Sequence, residues 1–186
     1  MGKRTGGKIM GKFSTKKMVL SGLFVALGLL LPFLTGQIPS IGKMLLPMHI
    51  PVLLCGFICG GPYGLIVGLI VPVLRSALFG MPVMFPGAVA MSFELAAYGL
   101  ISGILYKRLP KKNVYIYAAL VSAMIGGRIV WGVVSYILFG LNQTTFNWSM
   151  FAAGAFINAV PGIILQIILI PIILIALKRG NLISNE

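Results

Sequence analysis

Acidic side chains are almost missing from this chain. Glu94 and Glu186 are the only two, aspartate is absent, and His49 is the single histidine. Paired acid–base chemistry needs several such groups held together, so the composition argues against an enzyme, and no catalytic residue, cofactor or metal is expected. Cysteine is equally scarce. Cys55 and Cys59 lie four apart in an apolar run. On a helix they share a face, yet the backbone holds them too far apart for an easy disulfide, and two thiols alone make a poor metal site. Charge of either sign is thin: 9% of the residues are charged and 59% are hydrophobic. A soluble domain of 186 residues needs far more polar surface than that.

What is present is a series of long apolar runs, each near the roughly 20 residues that cross a bilayer. The pattern predicts an all-α integral membrane protein, a single six-helix bundle with helices over 18–34, 47–60, 63–79, 87–106, 114–139 and 150–177. The second is short. The last contains Pro161 and Pro171, both places where a helix bends. Residues 1–17 form a basic tail, 18–177 the six-helix transmembrane domain and 178–186 a second tail. The basic tail followed by an apolar run also resembles a signal peptide. Five further membrane segments follow it, so it is read as a retained first helix.

The net charge of +13 would suggest nucleic acid in a soluble protein. Here it reports topology, with contact to membrane lipid headgroups, and no nucleic-acid partner is expected. With the N-terminus in the cytoplasm, six crossings put the tail, Lys107, Arg108, Lys111 and Lys112, and Lys178 and Arg179 on the cytoplasmic side. Twelve of the fifteen basic residues then lie there; the others are Lys43 in the outer loop and Arg75 and Arg128 in or near the membrane. That places both termini in the cytoplasm.

One pattern misleads. Gly6, Gly11 and Lys12 nearly spell a phosphate-cradling loop, but Phe13 stands where Ser or Thr is needed, and no strand precedes it. If transport here uses ATP, the ATPase is another chain. Asn142 and Asn147 head N-x-S/T patterns in the polar loop LNQTTFNWS, read as loop polarity and a lid. Small-x-x-x-small pairs occur at Gly22 and Ala26, Gly64 and Gly68, and Gly99 and Gly103. Such pairs let helix backbones approach, either within the bundle or against another membrane protein.

Polar residues inside the apolar runs carry the functional signal. A charge at mid-bilayer costs at least about 2.5–3.5 kcal/mol, so it faces a cavity or a partner. Glu94, Arg128 and Asn158 fall roughly 12–18 Å below the outer surface at about 1.5 Å per residue. Arg75 and His49 stand nearer the outer ends of their helices, placed to line an entrance, and Tyr98, Trp131 and Trp148 offer aromatic walls. Two readings stand. In one, Glu94 and Arg128 pair only to fix packing, Arg75 snorkels and His49 sits in water near the headgroups. In the other, two arginines face one carboxylate, and the spare cation receives an anionic ligand group through paired hydrogen bonds.

The run IPVLLCGFICGGPYGLIVGLIVPVLRS, the ending FINAVPGIILQIILIP, the basic tail and the long first outer loop together resemble the S-component of an energy-coupling factor (ECF) vitamin transporter. The resemblance covers essentially the whole chain. It implies a binding protein rather than an enzyme, in a bacterial plasma membrane, that captures a vitamin from outside in a pocket gated by the first loop. It also implies partners: a transmembrane coupling subunit and two cytosolic ATPases. The family's first helix carries Ala-x-x-x-Ala against the coupling subunit; the matching positions here are Gly22 and Ala26, the glycine being a departure. LPMHIPVLLCG resembles the pantothenate branch more than the riboflavin, thiamine or biotin branches. The substrate residues expected on this basis are His49, Arg75, Glu94, Tyr98, Arg128, Trp131 and Asn158. The alternative is a stand-alone secondary transporter or channel for a small anionic metabolite, with Glu94 carrying the proton.

Overall fold

The computed structural model describes residues 14–35, 38, 44–110, 112–141 and 147–180. Among them the regular structure is entirely helical. Helix α1 spans Thr15–Leu30 and tightens into a 3-10 turn at Leu31–Thr35. Helix α2 is His49–Cys59 and α3 is Gly61–Phe79. A π turn at Met84–Ala88 leads into α4, Val89–Arg108. Helix α5 is Asn113–Leu141. A short α6, Trp148–Ala152, passes through a π turn at Ala153–Ile157 to α7, Val160–Arg179. Lys43, Asn142, the near P-loop at 6–12 and most of the expected gate loop lie outside the described residues.

Among the described residues, five helical stretches are long and apolar enough to cross a membrane: Thr15–Leu34, Gly61–Phe79, Met84–Arg108, Asn113–Leu141 and Trp148–Arg179. The second predicted helix is different. Helix α2 has 11 residues, about 16 Å at the α-helical rise, well short of a bilayer core. Its burial explains why so short a helix persists. Every residue from His49 to Cys59 except Ile58 is buried, so α2 is packed on all sides by protein.

The expected single helix over 150–177 is instead broken. Pro161 has no N–H and cannot sit within a continuous helix without losing a backbone bond. It is placed in the first turn of α7, where that bond is not needed, and the chain breaks at Asn158 and Ala159. Pro171 is accommodated inside α7, and Pro72 inside α3.

Helix α4 is the centre of the bundle, packed against α2, α3 and α5. Glycines bring the backbones together. A Cβ on Gly99 would lie 2.3 Å from the Gly64 backbone, and one on Gly68 would lie 2.4 Å from the Leu95 carbonyl. One on Gly103 would meet the Gly61 nitrogen at 2.2 Å. Lipid supplies no hydrophobic drive between helices, so this close packing holds them. The pairs Gly64/Gly68 and Gly99/Gly103 thus serve the bundle itself. Gly60 turns α2 into α3 with φ at 105°, a conformation that side chains rarely adopt.

Candidate functional site

Three helices bring polar groups to one buried place. His49 begins α2, Glu94 and Tyr98 share a face of α4 one turn apart, and Arg128 projects from α5. The preceding residue, Gly127, makes this approach possible: a Cβ there would lie 2.3 Å from the Tyr98 ring. Arg128 Nη1 stands 2.8 Å from Glu94 Oε1, and His49 Nε2 stands 3.4 Å from the same oxygen. The Tyr98 ring meets His49 edge-on, with centroids 5.2 Å apart. Exposure is 1% for His49 and Glu94, 0% for Tyr98 and 5% for Arg128.

His49 is therefore not in headgroup water. It is part of the interior, in contact with the carboxylate.

Bonding capacity remains in this cluster. The Arg128–Glu94 contact is an ion pair by distance, but it lacks the angles of a directed hydrogen bond. Among the described residues, Arg128 Nε and Nη2, His49 Nδ1 and the Tyr98 hydroxyl have no hydrogen-bond partner. Nε and Nη2 form one side of the guanidinium fork, the geometry that grips a carboxylate by two parallel bonds. Leaving such donors buried and unmet costs about 1–3 kcal/mol each. The arrangement suits an anionic acceptor group held by Arg128 and oriented by its neighbours.

Arg75 is not brought into this cluster. It is buried, donates through Nη1 to the Leu29 carbonyl, and lies 5.0 and 5.3 Å from the Phe33 and Phe79 ring centroids. It ties the C-terminal end of α1 to α3. The expectation of two arginines facing one carboxylate gives way to one arginine per carboxylate, with the cationic surplus held elsewhere by a carbonyl and two ring faces.

Asn158 is also apart. It is exposed, at the break between the π turn and α7. A π turn changes the helical phase, so residues beyond it no longer fall on the face that an unbroken α-helix would give them. Trp131 is half-buried and stacks on Phe151 at 6.1 Å; Trp148, 78% exposed, leans on the same ring at 5.2 Å. Trp148 and Phe151 border an open apolar groove of about 550 Å³ between α5 and α6. Asn147 caps α6, its side chain accepting a hydrogen bond from the Met150 amide at 2.9 Å.

Gly22 and Ala26 are exposed on α1, whose buried face carries Phe24 and Gly28. A Cβ on Gly22 would meet nothing within 4 Å. Of the small-residue pairs, this one faces out of the bundle.

Two polar residues escape a reading based on charge alone. Ser135 on α5 is 1% exposed and Gln166 on α7 is 0% exposed, and among the described residues the polar side-chain atoms of both have no hydrogen-bond partner. The available signal is Gln166 itself, a lone amide in the apolar run IILQIILIP.

Compared with known proteins, residues 16–174 match the family model described as ECF transporter, substrate-specific component. No curated protein and no solved structure matches the chain.

Proposed function

The chain belongs to the family of ECF transporter substrate-specific components, a multi-pass integral membrane family, and we propose that it captures pantothenate from outside a bacterial cell. In this reading the chain crosses the membrane six times, with α2 as the short second crossing and both termini in the cytoplasm. A coupling subunit and two ATPases then drive uptake. The exposed Gly22–Ala26 face of α1 is the surface offered to the coupling subunit.

One observation supports the substrate class more than any other. Arg128 is buried against Glu94 with the Nε and Nη2 edge of its guanidinium unmet by protein. The Glu94 pair holds the guanidinium in place, and the unmet edge suits a carboxylate. Pantothenate carries one. The likeness of LPMHIPVLLCG to the pantothenate branch points the same way.

The test is thermal unfolding of the purified protein in detergent against a panel of vitamins. A ligand that binds the folded state raises apparent stability with log concentration. A shift with pantothenate supports the assignment. A shift with a different vitamin keeps the binding role and rejects the substrate. No shift with any vitamin favours the stand-alone transporter.

A further inference from the structure

The inward stripe of α7 consists of Gly162, Gln166, Ile170 and Leu174, all buried. Gln166 is the one member with polar atoms. Its side chain is fully enclosed, and among the described residues neither Oε1 nor Nε2 has a hydrogen-bond partner. An apolar residue of similar volume would fill this place in the stripe without stranding a donor and an acceptor.

Depth can be read from two contacts. Near the outer end, a Cβ on Gly162 would lie 2.6 Å from the Met44 carbonyl oxygen, just before α2 begins. Near the other end, Lys178 Nζ stands 5.3 Å from the Tyr106 ring, which meets Phe57 near the end of α2. Helices α7, α2 and α4 therefore run in the same direction. Counting back from the Lys178–Tyr106 contact, twelve residues along α4 is Glu94 and twelve along α7 is Gln166. At about 1.5 Å per residue both lie about 18 Å from that contact. The stranded amide enters the bundle at the level of the Glu94–Arg128 pair.

We propose that Gln166 is a ligand-contacting, specificity-determining residue of this site, and that its side chain pairs with an amide of the bound acid. A carboxamide offers one acceptor and two donors, the complement of a ligand N–H and C=O. The inference rests on the pantothenate reading and extends it: Arg128 takes the carboxylate and Gln166 takes the amide. A site built to meet an N–H discriminates against an analogue that lacks it, because its own acceptor is then left unmet.

The experiment compares pantothenate with its ester analogue, in which oxygen replaces the amide N–H, by equilibrium binding to the purified chain. The wild type is expected to prefer the amide by about tenfold or more, the scale of one lost hydrogen bond. Gln166→Met is expected to bind amide and ester within about threefold of each other, with unliganded thermal stability equal to or above wild type. Gln166→Leu serves if the methionine variant does not fold. Two results overturn the role of Gln166 alone: a folded variant that keeps the wild-type preference, or a wild type that binds both compounds equally. Absence of pantothenate binding to the wild type overturns the substrate assignment and this inference together.

Discussion

Arg128 reaches across from α5 to within 2.8 Å of the Glu94 carboxylate on α4, and it does so with one edge of its guanidinium still unbonded. The pair is neutral as a unit, so in the proposed site the attraction of a ligand would rest on geometry and not on surplus charge: a fork held in place by one carboxylate and unmet on its other side.

Arg128→Lys separates these two contributions. Lysine keeps the charge beside Glu94 but presents a single ammonium in place of the fork. Pantothenate affinity is expected to fall by about tenfold or more, with thermal stability close to wild type. Titration calorimetry reads the first and a melting curve the second. Unchanged affinity in the folded variant would remove Arg128 from the site.

Arg75 is expected to behave oppositely. Arg75→Met removes the contact to the Leu29 carbonyl and the two aromatic faces. Unliganded stability should drop by about 1–3 kcal/mol while pantothenate affinity stays within about threefold. A loss of affinity without loss of stability would return Arg75 to the ligand site.

Gly99→Val places methyl groups where the Gly64 backbone already lies, since even a Cβ would be 2.3 Å from it. Helices α3 and α4 would have to separate, and folded yield is expected to collapse. Size-exclusion chromatography of the detergent extract reads this. A monodisperse peak at wild-type yield would contradict the backbone contact.

Gly22→Leu tests the other kind of small-residue pair. The position is exposed with open space around it, so folding and vitamin binding are expected to survive. Uptake by cells that also supply the coupling subunit and ATPases should fall sharply, because a close helix approach is blocked. Lost binding would instead show that Gly22 packs the bundle.

The apolar runs were legible in the sequence because hydrophobic length is a strong signal in lipid. The meeting of Glu94 and Arg128 was legible as two charges with nowhere else to go. His49 was harder. Its place at the outer end of a short helix suggested a wet position, but α2 is enclosed on all sides and carries its first residue inside. Arg75 looked like a second site cation because sequence gives depth and not direction; its partner is the backbone carbonyl of Leu29. Asn158 is exposed and Gln166 is buried for a local reason. A π turn and the break before Pro161 shift the face of the last helical segment, and no uniform 3.6-residue spacing anticipates that shift.

The central claim is that this chain captures a carboxylate vitamin and does not by itself move it. Labelled pantothenate should therefore be measured against the purified chain twice, in detergent for binding and in sealed liposomes for uptake. Saturable binding at one site per chain is expected, with no accumulation inside liposomes that contain this chain alone. Accumulation driven by a proton gradient, with no other subunit present, would contradict it and make Glu94 the carrier of a stand-alone transporter.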